Sequence, residues 1–413
     1  MRRPSVLFIN RVYPPVRGAS GRVLRDLARS FAREGWQVTV MTTGPKAMTE
    51  RDGAVRVIRV KGPERPGSFL SYGLVWVKLF WMALRLPGTH LLVTMTDPPF
   101  LVIAGQALQF IKKNRHIHWC QDLYPDVFPA LGITLPHFMM RGLGTLTRAA
   151  MKSTEKVIVI GRCMAWHLGH DGFDPKQITV IPNWPDIELV KPPGDDSDVK
   201  ARVEEIRGYR AHEDQHKHGP RFRVLYAGNI GRAHPVDTIL NAAEILNESN
   251  PDIEFVFVGD GPRHDLINRE RSKRRLENIR LLPYQPASRL KDLMESGDVH
   301  LVSMDELAAG MLVPIKFYSA LAVHRPCVFV GPAHSEAAKV IEGFKAGSVL
   351  AQGNAKLLAD NIRQYRENSD KWFAAYEGAK AASQVFVPEE SINAWIERAW
   401  GAVEGLIDQD IDV

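Results

Sequence analysis

The chain has 413 residues, and this length favours two domains because one hydrophobic core rarely grows beyond about 250–300 residues. Hydrophobic residues make up 45% and charged residues 24%, an ordinary globular composition that argues against a disordered chain. The net charge of +6 suits anionic ligands or an acidic membrane surface. The three cysteines lie far apart and form no CxxC pair, which argues against a disulfide scaffold or a zinc site and favours a reducing cytoplasm: Cys120, Cys163 and Cys327.

The first half of the chain alternates predicted strands with predicted helices. Its first apolar run, Val6 to Ile9, is too short for the core of a signal peptide and predicts a strand instead. Apolar residues at helical spacing predict helices over residues 21–35 and 101–113. Strands are predicted at residues 5–10, 37–42, 55–60, 91–94, 116–121, 156–160 and 178–181. This alternation is typical of a mostly parallel sheet covered by helices on both faces.

Two further segments of the first half are apolar and basic. Residues 69–86 contain Lys78 and Arg85 and fall short of the roughly 20 apolar residues of a membrane span, so they predict a buried helix or one that rests on a membrane or a partner. Residues 136–152 mix apolar side chains with Arg141, Arg148 and Lys152. This second segment fits a helix on an anionic membrane surface and fits an ordinary surface helix equally well.

A stretch rich in proline, histidine and charge, residues 186–220, predicts a linker between a first domain (1–185) and a second domain (221–386). Strands are predicted in the second domain at residues 222–227, 253–258, 279–282, 300–303 and 327–330, and helices at 237–247, 263–276, 288–296, 315–323 and 335–342. Residues 387–413 predict a closing amphipathic helix, which could pack back on the first domain.

Two strands of the second domain end in glycine loops. The first strand leads into Gly228-Asn229-Ile230-Gly231, and the next into Gly259-Asp260-Gly261. The segment between them has helical periodicity, so together they form a βαβ unit. Open α/β sheets bind phosphates at such loops, where glycine lets the backbone approach a ligand closely. A loop of this kind is common to many α/β proteins.

Several motifs occur in a specific order: YPPVRG at 13–18, QDLYP at 121–125, VIVI at 157–160, ITVIPN at 178–183, YAGNIG at 226–231, VGDG at 258–261 and VPIK at 313–316. This order resembles the retaining, nucleotide-sugar-dependent glycosyltransferases of the GT-B fold, of the glycosyltransferase family 4-like, bacterial surface-polysaccharide type. The resemblance implies an α/β protein whose two Rossmann-like domains face each other across a central cleft. It also implies that the donor nucleotide lies against the second domain.

The resemblance implies a donor site with these glycines and nearby cations. A diphosphate needs backbone N–H donors and cations that keep their charge. Gly228, Asn229, Gly231, Gly259 and Gly261 are therefore expected at the donor, and Arg232 and Lys316 are expected to stabilise its diphosphate. Pro314 and Ile315 precede Lys316 at a predicted helix start and are also expected to contact the donor. A solvated surface role for each of the two cations is the alternative.

One departure from the family concerns the ribose. Many members have two glutamates eight positions apart, and the corresponding positions here are Met311 and Ser319. Asp305 or Glu306 could stand in for the first glutamate. A branch of the family resembling this chain has a Pro-x-Lys-x-Tyr-Ser pattern, which matches Pro314, Lys316, Tyr318 and Ser319 and places the last two residues among the expected substrate contacts.

The first domain is expected to hold the acceptor. Where many relatives have a histidine, this chain has Gln121, which is expected to contact the substrate. Asp122 follows, for which acceptor contact or activation and a turn role are both open. His118 is expected on the opposite face of its strand, as a packed histidine. Gly18 and Ser20 open the first helix, whose N-terminal amides would face the donor diphosphate.

The implied reaction moves a sugar with retention from a nucleotide-diphosphate sugar to an acceptor hydroxyl, on a saccharide or a lipid-linked saccharide precursor. No metal or other cofactor and no nucleic-acid partner is expected, because phosphate neutralisation falls to cations, Asp410-Ile411-Asp412 lies in a tail, and His212, His216 and His218 fit a solvated linker. The expected location is the cytoplasm, with peripheral contact to the membrane as one option. A non-catalytic subunit and a sugar-nucleotide epimerase of the same fold are the alternative functions.

Overall fold

A computed structural model describes residues 3–190 and 221–409, with side chains through residue 406. Most of the predicted linker (191–220), including its histidines at 212, 216 and 218, lies outside the described residues, as do Asp410 and Asp412. The described chain forms two α/β units, each built around its own sheet.

The first sheet has eight strands in the order β3-β4-β2-β1-β5-β6-β7-β8. The strands are β1 (Ser5–Ile9), β2 (Gln37–Gly44), β3 (Met48–Asp52), β4 (Val55–Lys61), β5 (Leu91–Thr94), β6 (Arg115–Cys120), β7 (Lys156–Val159) and β8 (Ile178–Val180). All pairs are parallel except β3 with β4. The sequence did not predict β3, because this mostly exposed edge strand is polar and lacks an alternating apolar pattern.

Five helices accompany the first sheet: α1 (Ala19–Arg33), α2 (Phe69–Arg85), α3 (Leu101–Lys112), α4 (His137–Lys152) and α5 (Arg162–His170). The first four occur where they were predicted, and α5 was missed because it is short and only weakly periodic. Helix α2 buries Val75, Leu79 and Ala83 against the sheet. No helix among the described residues is both long enough and apolar enough to cross a membrane.

The second sheet is fully parallel, with the order β11-β10-β9-β12-β13-β14. Its strands are β9 (Phe222–Ala227), β10 (Ile253–Val258), β11 (Ile279–Leu282), β12 (Val299–Ser303), β13 (Cys327–Val330) and β14 (Gly347–Leu350). The chain leaves β9 in one direction and returns to β12 on the other side. The topological switch point, where such sheets bind ligands, therefore lies between β9 and β12.

The helices of the second unit are α6 (Asp237–Ser249), α7 (His264–Arg274), α8 (Leu290–Glu295), α9 (Lys316–Ala322), α10 (Glu336–Gly343), α11 (Ala355–Glu367) and α12 (Ser369–Ser383). The sequence predicted neither β14 nor α11 and α12. These elements close the sheet and pack on α6 and α9, so tertiary contacts determine them more than local periodicity does.

A final helix, α13 (Pro388–Gln409), crosses back to the first unit. The ring of Trp395 lies 4.8 Å from that of Trp119 in β6, and Trp400 lies 5.0 Å from Trp36. Both Trp119 and Trp395 are fully buried. The two units thus share one apolar core through this helix.

Direct contacts also join the units across the cleft. Arg162 at the start of α5 donates to the Glu336 carboxylate of α10 through its backbone N–H (2.7 Å) and its Nε (2.9 Å). The loop after β6 pairs with the second unit, since the N–H of Leu123 donates to the Met311 carbonyl over 2.8 Å. The carboxyl ends of the two sheets therefore meet at a fixed junction.

Candidate functional site

The two glycine loops of the second unit pack against one another at the carboxyl end of its sheet. The N–H of Gly228 donates to the Val258 carbonyl, and that of Ile230 to the Asp260 carbonyl, each over 2.8 Å. Gly259 has a φ of 138°, and a Cβ there would lie 2.3 Å from the Gly228 carbonyl oxygen. A Cβ on Gly261 would lie 2.5 Å from Asn229 Oδ1. Gly259 and Gly261 are therefore required for loop packing, a need that does not depend on a substrate.

Lys316 lies beside the first of these loops. Its Nζ donates to the Tyr226 hydroxyl over 3.0 Å and lies 4.7 Å from the centre of that ring. A Cβ on Gly228 would be 3.2 Å from Lys316 Cε, so the loop and the lysine are in contact. Among the described residues no carboxylate pairs with Lys316, and burial lowers its pKa to about 7. A bound anion would stabilise the charged form.

His234 is a residue at this edge that the sequence analysis missed. Its Nδ1 lies 2.6 Å from the Ser303 carbonyl at the end of β12, so Nδ1 carries the proton and Nε2 is left as an acceptor. Burial, together with the charge of Lys316, lowers the pKa of His234 to about 3. The imidazole is therefore neutral at physiological pH. Its position three residues after Gly231, directly behind the first glycine loop, was the available signal.

The remaining loop residues face solvent. Arg232 and Asn229 are exposed, and Gly231 is partly exposed. The Arg232 guanidinium has no ion pair or hydrogen bond with any residue that the structure describes, while its carbonyl accepts from Arg263 over 3.4 Å. Arg232 is thus available to an incoming anion, as the sequence analysis expected, although its role stays a prediction.

The segment from Pro314 to Ser319 divides between cleft and core. Ile315 and Lys316 are partly exposed, as is Ser319. Tyr318, in contrast, is 1% exposed, with its ring packed 5.2 Å from that of Phe386. The expected contact between the Tyr318 side chain and a substrate is therefore corrected, because Tyr318 lies on the buried face of α9. Pro314 is buried as well.

The residues considered for the missing glutamates have other contacts. Asp305 accepts the N–H of Leu307 and caps a short 3-10 turn, Glu306 to Ala308. The Met311 carbonyl accepts the hydrogen bond from the N–H of Leu123 in the first unit. Ser319 lies on α9 next to Tyr318. Position 319, where many relatives hold the ribose with a glutamate, thus offers a hydroxyl and no carboxylate.

A buried acidic group lies at the carboxyl end of the first sheet. Asp122 follows β6, and burial, with a smaller contribution from the charge of Asp97, raises its pKa to about 7. Asp97 itself accepts two hydrogen bonds from Arg11, over 2.7 and 2.8 Å. The backbone of Asp122 bridges to Leu312, four residues before Lys316. This bridge brings the predicted acceptor residue and the predicted donor residue to the same junction.

Gln121 and His118 are both held inside the first unit. The amides of Gln121 and Asn183 exchange hydrogen bonds over 2.7 and 3.2 Å, and Gln121 is 6% exposed. The expected substrate contact of Gln121 is therefore corrected to a structural pair between β6 and the segment after β8. His118 is buried and bonded to Thr94, which confirms that it is a packed histidine.

The loop before α1 exposes its glycine. Gly18 is the residue before the helix and is exposed, and a Cβ there would approach Val12 Cγ1 to 2.7 Å. Ser20 is partly exposed, and its Oγ accepts a long bond of 3.4 Å from Asn10 Nδ2. The N–H groups of the first turn of α1 lie at the carboxyl end of β1, and their expected contact with the donor diphosphate stays a prediction.

A possible metal-ligand cluster lies away from both loops. Asp126, His167 and Asp171 come together, but Arg148 donates to Asp171 over 2.8 Å and to Asp126 over 3.1 Å. The single guanidinium bonds to both carboxylates and offsets one of their two negative charges. These residues therefore form an ion-pair network in the described structure.

Two family models match this chain, one in each half. The family model described as "Glycosyl transferase 4-like domain" matches residues 18–184, and "Glycosyl transferases group 1" matches residues 210–381. The chain belongs to the GT-B glycosyltransferases. The first match ends just before the predicted linker and the second begins within it, and the second match contains both glycine loops and Lys316.

Two curated bacterial glycosyltransferases are similar in sequence. WcaI of Escherichia coli (strain K12), whose description reads "Putative colanic acid biosynthesis glycosyl transferase", is 24% identical over 85% of this chain and 89% of its own length. WbjE of Pseudomonas aeruginosa, described as a probable glycosyltransferase, is 24% identical over 60% of this chain and 58% of its own.

Solved GT-B enzymes share the fold. Sucrose-phosphate synthase from Thermosynechococcus elongatus superposes with a TM-score of 0.74 at 14% identity, covering 98% of this chain and 100% of that one. Anabaena HepE, solved with UDP-glucose, gives 0.68 at 17% identity over 96% and 99%. WaaG, a glycosyltransferase involved in lipopolysaccharide biosynthesis, gives 0.67 at 17% identity over 94% and 99%. At these identities the structures support the fold alone.

Proposed function

We propose that this glycosyltransferase moves a sugar, with retention, from a nucleoside diphosphate sugar to a hydroxyl of a saccharide acceptor. The observation that carries the proposal is the group of Lys316, His234 and the Gly228 loop at the switch point between β9 and β12. It offers a cation without a carboxylate partner among the described residues, and loop backbone at the place where open α/β sheets bind phosphates. HepE, a structural relative, was solved with UDP and with UDP-glucose.

The chemistry follows from the charge that develops on the leaving diphosphate. As the bond from the sugar to the diphosphate breaks, negative charge grows on the phosphate oxygens, and fixed cations lower the energy of that state. Lys316 and Arg232 are proposed to supply this charge without a metal ion. Neutral His234 adds an acceptor for a donor hydroxyl, since its Nε2 carries no proton.

Asp122 is proposed to contact the acceptor hydroxyl. Its pKa of about 7 lets it exchange a proton near neutral pH, and it lies at the junction between the units. The acceptor is proposed to be a lipid-linked saccharide or polysaccharide precursor at the cytoplasmic side of a membrane. The descriptions of WcaI and WaaG, which concern colanic acid and lipopolysaccharide, support this class of acceptor.

A panel of nucleotide sugars tests the proposal. The full chain is incubated with each donor and with lipid-linked and soluble saccharide acceptors, and release of nucleoside diphosphate and the anomeric configuration of the product are measured. We expect acceptor-dependent release with retained configuration. Absence of both nucleotide binding and turnover across the panel would contradict it.

A second candidate is a non-catalytic GT-B subunit. It is favoured by the buried pair Gln121–Asn183 and by Ser319, since Gln121 and Ser319 stand where many relatives have a histidine and a glutamate. It predicts nucleotide or partner binding without turnover. An epimerase of the same fold would instead interconvert donors with no acceptor present, so product analysis separates all three.

A further inference from the structure

Helix α2 is apolar on the side that faces away from the sheet as well as on the buried side. Leu70, Leu74, Val77 and Trp81 recur at spacings of four, three and four residues and are 74%, 55%, 45% and 54% exposed. The opposite side packs on the sheet. A helix that is apolar all round is normally covered on all sides, and here the solvent side is uncovered.

The apolar surface extends over α3 and α4. The Lys112 ammonium near the end of α3 donates to the Leu86 carbonyl at the end of α2, and Trp76 of α2 donates to the Phe100 carbonyl before α3 over 3.2 Å. Helix α3 packs in turn on α4. We call these three helices the α2–α4 face. Half of the exposed large apolar side chains of the described residues lie on it; those outside α2's stripe are Phe69, Phe110, Ile111, Phe138, Met139 and Leu146.

The three helices of this face contain only basic charged residues, and one of these, Arg148, is bound to the carboxylates of Asp126 and Asp171. None of the three helices contains an aspartate or glutamate, whereas they carry Lys78, Arg85, Lys112, Arg141, Arg148 and Lys152. Between residues 65 and 154 the acidic residues are only Asp97, Asp122 and Asp126, and all three follow strands. Surface helices of the second unit, such as α7 and α11, mix both signs. An apolar face with an excess of cations is complementary to an anionic lipid surface.

A groove at the end of α2 has the same character. It has a volume of about 440 Å³ and runs between α2 and the end of strand β4. Val77, Trp81 and Met82 line it, together with Lys61, Lys78 and Arg85. Apolar walls beside three cations suit an acyl chain next to an anionic headgroup.

We propose that the α2–α4 face docks the protein on a bilayer rich in anionic phospholipid. The helices lie along the surface and do not cross it, since α2 has 17 residues and includes Lys78 and Arg85. The N-termini of α2, α3 and α4 lie at the carboxyl end of the first sheet, so docking would hold the predicted acceptor edge next to the lipid. Docking in this orientation would bring the protein to a lipid-linked acceptor. Only this purpose of docking rests on the proposed function; the docking itself does not.

Vesicle binding tests the proposal. The full chain is sedimented with vesicles of phosphatidylglycerol and phosphatidylethanolamine, and with vesicles of phosphatidylcholine alone. We expect binding to the anionic vesicles that weakens with salt. Leu74→Glu with Trp81→Glu should reduce it by about tenfold or more. Lys78→Gln with Arg85→Gln should reduce it by about fivefold for each cation.

Matched controls sit on the second unit. Leu357→Glu with Phe373→Glu changes two exposed apolar residues there, and Arg269→Gln with Lys273→Gln removes two exposed cations of α7. Both controls should bind vesicles like the unaltered chain. A thermal unfolding curve checks that every variant is folded.

Three outcomes would overturn the proposal: no preference for anionic vesicles, equal binding by the α2 variants, or a dimer that Leu74→Glu dissociates without any vesicle binding. The last would show that a second copy covers the face. Failure of the proposed function is distinguishable, because it would appear as absent nucleotide binding and absent turnover with soluble acceptors while vesicle binding persists.

Discussion

The carboxyl ends of the two sheets, called here the first edge and the second edge, meet at the cleft and differ in how their charged and polar side chains are paired. At the first edge Arg11 is paired with Asp97 and the Gln121 amide with Asn183. At the second edge Lys316 donates only to a tyrosine among the described residues, and the exposed Arg232 guanidinium has no partner there. At the first edge the arginine has a carboxylate partner, while at the second the two cations have no counter-ion among the residues that the structure describes. An anionic donor would complete the second edge, and Asp122 is the group of the first edge left to act on an acceptor.

The largest expected effect concerns Asp122. Asp122→Asn should lower the turnover number by about 10²–10⁴-fold, the usual contribution of a positioned acid or base, without changing donor affinity. Asp126→Asn in the same segment is the control, because Asp126 is engaged with Arg148. Steady-state kinetics and a separate nucleotide titration measure the two quantities. Equal turnover of the two variants would assign Asp122 to the turn role.

Loop packing at the second edge comes next. Gly259→Ala places a Cβ against the Gly228 carbonyl at a φ of 138°, so the free energy of unfolding should fall by about 3 kcal/mol or more and donor binding should weaken. Gly53→Ala has a φ of 61° but nothing within 4 Å, and should cost only about 1–2 kcal/mol. Urea denaturation compares them. Similar losses in both would mean that the loops can separate easily.

The uncompensated cations are tested one at a time. Lys316→Ala and Arg232→Ala should each weaken binding of the donor diphosphate by about 1.5–3 kcal/mol, because each removes a charge-assisted contact. Lys371→Ala is a matched control, since Lys371 also lies over a tyrosine, 4.6 Å from the Tyr365 ring, but on α12. Isothermal titration with nucleoside diphosphates measures the change. Unaltered affinity in both site variants would remove the donor assignment.

The smallest effect is a pH dependence set by Lys316. Its pKa in the free protein is lowered to about 7, so above this pH a diphosphate must bind together with a proton, and affinity should fall by up to about tenfold per pH unit. Between about 7 and the ordinary lysine pKa the unfolded chain binds a proton that the folded chain does not, so this group makes stability rise with pH in that window. Lys316→Arg should abolish the fall in affinity. A pH-independent affinity in the unaltered chain would contradict it.

Apolar runs and glycine positions predicted most of the fold. The strands of both sheet centres and the four long helices of the first unit occur where the periodicity placed them, because each buries one continuous apolar pattern. The edge strands β3 and β14 were missed. Strand β3 is polar, and β14 has only four residues and begins at a glycine, so neither has the apolar pattern of a strand. At the site, Tyr318 and Gln121 were misassigned and His234 was overlooked, while the donor role of Lys316 and of the glycine loops stays a prediction.

The sequence by itself determined the α/β class, the two-unit organisation, the glycine loops and the cations beside them, because these depend on local residue order. Only the tertiary structure decided which way Tyr318 faces, that Asn183 pairs with Gln121, and that His234 is kept neutral beside Lys316. It also decided that α2, α3 and α4, whose charged residues are all basic, pack side by side into one face. Each of these depends on which residues distant in the chain become neighbours, and burial between such neighbours sets both the pairing and the charge.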